Sequence, residues 1–238
     1  MSFRDEMVQA AAAYGISLSD RQLEQFEQYF VLLMNWNQKM NLTAITEPHE
    51  VAVKHMIDSL SVYDAALFPV GLRLIDVGTG AGFPGIPLKI LRPDLRLTLL
   101  DSLNKRVRFL ETVVQELGLK DVVCLHARAE EAARQKIYRE QFDMAVSRAV
   151  ARLPVLAEYT LPFVKSGGIF AAMKGMKYQE EADAATHAIR VLGGGAMRLA
   201  PVKLPGLEDV RAVIYIEKKG KTPAAYPRKA GIPEKNPL

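Results

Sequence analysis

Residues 74–85 read Leu-Ile-Asp-Val-Gly-Thr-Gly-Ala-Gly-Phe-Pro-Gly. An apolar run carries an acid at Asp76. Glycines then fall at every second position, at Gly78, Gly80 and Gly82, and the apolar residues after Gly85 open a helix. Glycine permits positive φ and lets a ligand approach the backbone closely. A strand, a glycine turn and a helix in this order begin an open parallel sheet. Such sheets bind ligands beyond the carboxyl ends of their strands, where the strand order reverses.

The rest of the chain agrees. After Leu72, short apolar runs alternate with amphipathic stretches. Strands are expected near 72–77, 96–101, 122–126, 142–147 and 169–174, with helices near 84–91, 104–117, 129–136, 153–162 and 177–191. Alternation of this kind predicts right-handed crossovers and a mostly parallel sheet covered on both faces. Strands at 197–203 and 210–217, joined through Pro205-Gly206, predict an antiparallel hairpin at the sheet edge. The first 70 residues read as helical. Ser19 and Gln22 have capping-box spacing ahead of an apolar stripe through Leu23, Phe26, Phe30, Leu33 and Met40. Pro48 belongs in the first turn of another helix, which continues through His55 and Asp58. Those two side chains are expected to hydrogen-bond the helical region to the core, and Trp36 is expected to be core. The organisation is thus a helical region over 1–70, an α/β domain over 71–218 and a tail over 219–238.

Composition narrows the class. Hydrophobic residues make up 49% and charged residues 24%, ordinary values for a globular chain. No apolar run reaches the roughly 18 residues that span a bilayer, and the N-terminus carries acids where a secretory signal is basic. A soluble cytoplasmic protein is expected. The single cysteine, Cys124, excludes an internal disulfide and a cysteine-built zinc site; it sits in an apolar run and reads as core. No metal is expected. Residues 217–238 carry six basic and two acidic groups, so the whole net charge of +4 lies there, among four prolines. An extended arm for a polyanion is the expectation, with a solubilising tail as the alternative.

Two cofactors compete for the glycine turn. Gly80-x-Gly82-x-x-Gly85 satisfies the loose dinucleotide pattern of nicotinamide enzymes. Asp76-x-Gly78-x-Gly80-x-Gly82 instead resembles the nucleotide loop of class I S-adenosylmethionine methyltransferases. Asp101 closes the second strand, where a carboxylate can accept hydrogen bonds from both ribose hydroxyls. The chemistry narrows by what is missing. No cysteine nucleophile is placed for carbon methylation, no proline–aromatic motif follows Val146-Ser147-Arg148-Ala149, and no lysine–acid set for ribose hydroxyls is evident. Guanine N7, with a free lone pair and no proton to remove, fits those absences. A nicotinamide oxidoreductase and a non-catalytic RNA-binding module remain as alternatives.

Longer motifs are more specific. Trp36-Asn37-x-x-Met40-Asn41-Leu42-Thr43, His55-x-x-Asp58-Ser59, the run Asp76 to Leu88, Leu100-Asp101-Ser102-x-x-Lys105-Arg106, Ser147-Arg148-Ala149, Lys174-Gly175 and Tyr226-Pro227-Arg228-Lys229-x-Gly231-x-Pro233 closely resemble the bacterial small-subunit rRNA guanine-N7 methyltransferases, the glucose-inhibited division protein B family. The resemblance spans almost the whole chain. It implies an S-adenosylmethionine-dependent enzyme with a Rossmann-like, seven-stranded sheet. The implied substrate is 16S rRNA, free or in a small-subunit particle, methylated at N7 of the guanine usually numbered 527. A monomer is expected. The implied cofactor set is Gly78, Phe83, Ala129, Glu130 and Arg148, to which the reading of the glycine turn and second strand adds Gly80 and Asp101; Arg148 is also the candidate for positioning the acceptor. The implied RNA contacts are Lys105, Arg128, Lys174 and Arg211, with Arg228 and Lys229 from the tail.

Overall fold

The computed structural model describes residues 1–238. Helices α1 (Phe3–Tyr14) and α2 (Asp20–Met40) each begin with a capping box, Ser2 with Asp5 and Ser19 with Gln22. On α2 the buried face is Leu23, Phe26, Tyr29 and Leu33. Tyr29 replaces Phe30 in the expected stripe, and Trp36 is half-buried against Phe109. The next helix starts at Pro48 and is not uniform. Turns α3 (Pro48–Val51) and α4 (Asp58–Leu60) flank a π-helical turn over Ala52–Ile57. Such turns are uncommon and cluster at functional sites; this one carries Lys54 and His55 and leads into the buried Asp58.

From Arg73 the chain builds one seven-stranded sheet, in the order β3-β2-β1-β4-β5-β7-β6. The strands are β1 (Arg73–Val77), β2 (Arg96–Asp101), β3 (Val122–His126), β4 (Phe142–Arg148), β5 (Val164–Lys174), β6 (Gly194–Val202) and β7 (Arg211–Lys218). The first five pair in parallel, and the β6–β7 hairpin adds antiparallel to β5. Helices α5 (Gly85–Leu91), α6 (Asn104–Glu116), α7 (Ala129–Ala132), α8 (Leu153–Thr160) and α9 (Tyr178–Val191) connect or follow the strands. Helix α7 is shorter than the expected 129–136, and turns follow it.

Strand alternation sends side chains to two cores. Leu74, Met144, Val146, Ala171, Val213 and Tyr215 pack with α1, α2 and the helix after Pro48. Ile75, Val77, Ala145, Phe170, Ile214 and Ile216 face the other way, onto α8 and α9. The helical N-terminal region is therefore one covering layer of the sheet. Strand order reverses between β1 and β4, so the ligand crevice belongs at their carboxyl ends. Cys124 departs from expectation: β3 is an edge strand, so its thiol is half-buried, and burial pushes it up to about 12.

The tail is not an extended arm. Lys218 is buried and donates to the carbonyls of Leu161 and Leu192 and to the Thr222 hydroxyl. Arg139 donates to the carbonyls of Thr222, Pro223 and Tyr226, and Arg134 to those of Ala225 and Pro227. Arg228 forks onto the buried Glu158 of α8 at 2.7 Å. A short helix, α10 (Ile232–Lys235), ends the segment. Proline-set backbone and satisfied carbonyls fold residues 219–238 onto the domain. Arg228→Met keeps the aliphatic contact but leaves the Glu158 carboxylate buried without its partner. It is expected to cost about 2–4 kcal/mol, read as a lower urea midpoint at unchanged slope.

Candidate active site

The glycine turn is built around two carboxylates. Asp76 Oδ2 accepts from the Thr79 hydroxyl at 2.6 Å and from the Gly85 N–H at 2.8 Å. Its Oδ1 is buried without a partner. Burial pushes this carboxyl up to about 7, against the pull of those two hydrogen bonds. A Cβ at Gly85 would lie 2.6 Å from Leu99 and 2.9 Å from Asp76 Oδ2, so only glycine lets α5 start there. Asp101 Oδ2 accepts from the Gly80 N–H at 2.9 Å, and Oδ1 from the Leu103 N–H at 2.8 Å. Asp101 thus fixes the turn and the start of α6, while its oxygens retain lone pairs for a ligand.

Two hollows open on the crevice. The smaller, about 160 Å³, is lined by Gly78, Asp101, Arg128, Ala129, Glu130 and Tyr159, with Gly231 and Glu234 from the tail. The larger, about 590 Å³, is lined by Lys54, His55, Asp58, Arg148, Lys174 and Arg211, among others. Val150 lines both, and a Cβ on Gly78 would meet it at 2.5 Å. The hollows therefore adjoin at Gly78 and Val150. Gly80, at φ 61°, has open space where a Cβ would stand. Open glycine backbone and the Asp101 carboxylate suit a cationic nucleoside cofactor, with the buried Asp76 carboxylate inside the turn.

In the larger hollow the Asp58 carboxylate bridges two arginines. Its Oδ2 lies 2.7 Å from Arg148 Nη1 and its Oδ1 lies 3.3 Å from Arg211 Nη1. The Lys54 carbonyl, on the π turn, accepts from Arg148 at 3.2 Å. Below, the Arg148 guanidinium stacks 4.8 Å over Phe83, whose ring stacks with His55 at 4.7 Å. Lys174 is largely buried; it donates to the Ala151 carbonyl at 2.6 Å and pairs with Glu181 at 2.8 Å. Arg211 Nε is a buried donor without a partner. Five lysines and arginines (Lys54, Arg148, Arg152, Lys174 and Arg211) stand in this hollow against Asp58 and Glu181.

The structure gathers most of the sequence candidates, though in two groups. Gly78, Asp101, Arg128, Ala129 and Glu130 share the smaller hollow; Arg148, Lys174 and Arg211 share the larger one. Phe83 lines neither and supports Arg148 from beneath. Lys105 is exposed in the first turn of α6 and lines neither hollow, Arg228 is spent on Glu158, and Lys229 is exposed on the tail. Lys54, Val150, Tyr159, Gly231 and Glu234 were not legible as site residues. Only Gly231 carried a signal, the tail motif.

His55 supplies a pH test. Its Nε2 lies 2.7 Å from the Thr43 hydroxyl. Burial, then the neighbouring Arg148 charge, lowers its pKa to about 4. The unfolded chain protonates this imidazole near 6.5. Between 6.5 and 4 the unfolded state binds the extra proton, so stability falls as pH drops through that window. Imidazole resonances followed by NMR are expected to show His55 neutral at pH 5.5. His55→Phe is expected to reduce the acid loss of stability between these limits.

Comparison with known proteins agrees with the geometry. The family model described as rRNA small subunit methyltransferase G matches residues 22–205. The chain is similar to proteins named ribosomal RNA small subunit methyltransferase G. That of Geobacillus thermodenitrificans is 53% identical, with 94% of each chain covered. That of Acetivibrio thermocellus is 49% identical, covering 100% of this chain and 98% of its own. In fold, a precorrin-6y C5,15-methyltransferase structure from Geobacter metallireducens aligns with a TM-score of 0.52 at 17% identity, over 75% of this chain and 92% of its own. The fold is that of class I methyltransferases, whose methyl donor is S-adenosylmethionine, and the nicotinamide alternative is set aside. With 184 residues matched out of 238, from 22 to 205, the chain belongs to the rRNA small subunit methyltransferase G family.

Proposed function

We propose that this methyltransferase modifies N7 of a guanine in 16S rRNA, the one usually numbered 527, within the small ribosomal subunit or an assembly intermediate. The observation that carries this is the larger hollow: rich in cations, beside the glycine turn, and without a group fit to take a proton. Both of its acids are engaged: Asp58 is held between two arginines, and Glu181 pairs with Lys174 and accepts from the Leu153 N–H. His55 is a neutral imidazole tied to Thr43 and stacked on Phe83. Cys124 lies on the far edge strand, and its raised pKa keeps it a thiol.

The smaller hollow is assigned to the adenosine part of the cofactor. Asp101 would receive the ribose hydroxyls, and the Ala129–Glu130 turn would flank the adenine. When bound, S-adenosylmethionine supplies an electrophilic methyl on a sulfonium centre. The chain's own work is orientation. Arg148, fixed by Asp58, the Lys54 carbonyl and the Phe83 ring, presents a rigid guanidinium to the acceptor; Arg211 and Lys174 offer further donors for phosphate or base oxygens. A ring nitrogen with a free lone pair needs only placement and exclusion of water. The base must leave its stack to enter, as in other base-modifying enzymes.

Mapping 7-methylguanine in rRNA from cells with and without the gene tests the assignment; methylation at a different atom or base overturns it. In single-turnover assays with both ligands saturating, the transfer rate is expected to be nearly flat across neutral pH. A single-proton dependence persisting at saturation would reveal a base. Cofactor binding, by contrast, is expected to weaken below about pH 7. The Asp76 carboxyl is pushed up to about 7 in the free protein, and a cationic ligand favours its ionised form, so below that pH binding must expel a proton. Calorimetric titration across pH 5.5–8.5 reads this directly.

A further inference from the structure

We propose that residues 229–238 form the closing wall of the cofactor hollow, making the C-terminus a determinant of S-adenosylmethionine affinity and not an RNA-binding arm. The proposal rests on the assignment of the smaller hollow to the adenosine of the cofactor.

Three observations converge on it. The first is the path of the chain. Arg134 and Arg139 hold five backbone carbonyls between Thr222 and Pro227, and Arg228 closes onto the buried Glu158. A solvated arm needs no such anchoring. It directs the following residues back towards the carboxyl edge of the sheet, where Gly231 and Glu234 line the hollow. Gly231, at φ 80°, turns the chain there, and Pro233 is buried behind it.

The second is a direct contact. The Gly231 N–H donates to Glu130 Oε1 at 3.3 Å, so the tail's backbone orients a carboxylate on another wall of the same hollow.

The third is charge. The hollow is lined by Asp101, Glu130 and Glu234 against Arg128, and Arg106 lies 3.5 Å from Asp101 Oδ2 without lining it, so the acids remain in excess. An acidic rim attracts a cationic, hydroxyl-rich cofactor and repels a phosphate backbone. The cations that made the tail look like a polyanion arm are partly consumed: Lys218 is buried, Arg228 is paired with Glu158 and Lys219 with Glu217.

The test is a chain ending after Arg228, which keeps the Arg134, Arg139 and Arg228 anchors and removes the wall, together with the packing of Pro233 and Leu238. Calorimetry with S-adenosylmethionine is expected to give a dissociation constant raised about tenfold, the loss of one good hydrogen-bonded contact. Its thermal midpoint without cofactor should stay near that of the full chain. Filter binding to a 16S rRNA fragment across a salt series should keep its slope. Unchanged cofactor affinity in the folded truncation overturns the proposal. So does a salt slope reduced by about 0.7 or more while cofactor affinity is intact, since that marks a lost phosphate contact. Should the truncation fail to fold, Glu234→Arg in the full chain decides: weaker cofactor binding supports the wall, and unchanged binding overturns it. Asp101→Ala, also in the full chain, separates the two levels. It is expected to weaken cofactor binding roughly 10- to 150-fold if the hollow holds the ribose. No effect there removes the assignment of the hollow itself, whereas a loss there with none on truncation removes only the wall.

Discussion

One buried carboxylate ties the site together. Asp58 comes from the helical N-terminal region and reaches Arg148 at the end of β4 and Arg211 at the start of β7. A carboxylate out of water is costly unless it is paired, and removing one partner of such a group typically costs about 3–5 kcal/mol. The pairing therefore does less for net stability than for position. It locks the covering layer to two strands separated by β5 and holds the guanidinium groups in place. The π turn before Asp58 serves the same end, since it aims the Lys54 carbonyl at Arg148. Phe83 supports that guanidinium from the glycine turn, so the turn, the helical layer and the sheet edge meet in one stack.

Charge divides the crevice. One side, around Asp101, Glu130 and Glu234, is acidic; the other, around Arg148, Lys174 and Arg211, is basic. They adjoin at Gly78 and Val150, the crossing point for any group passed between them. On the proposed assignment of the two hollows, this division would sort a cationic donor from a polyanionic acceptor before they meet. The segment after β4 shapes this junction. Ala149 takes a left-handed φ of 54°, a conformation that disfavours a side chain, and Lys174 with Glu181 holds the next residues through the Ala151 carbonyl and the Leu153 N–H.

The parts legible in the sequence were those written in local spacing. Strand alternation, capping boxes and the glycine turn each depend on neighbours a few positions apart, so the sheet, the order of its helices and the place of the turn could be read directly; that Asp101 accepts from the Gly80 and Leu103 N–H groups, and so holds the turn, was not read. Edge position could not, which is why Cys124 read as core although β3 has only one neighbour. Charge counting also misled. It located the excess in residues 217–238 but not the acids that would face it, because Glu158 and Glu130 lie 70 and 101 positions from their tail partners.

The chain by itself determined an α/β sheet with a nucleotide turn at its reversal point, because period-two apolar runs and positive-φ glycines are local facts. Tertiary structure alone decided how that turn becomes a site. Asp58 meets Arg148 and Arg211 across 90 and 153 positions of sequence. The tail reaches the smaller hollow only once the sheet and α8 have formed the surface it docks on. Pairings of that range are chosen by the cost of burying a charge or a carbonyl without a partner, a cost that no stretch of sequence displays before the chain has folded.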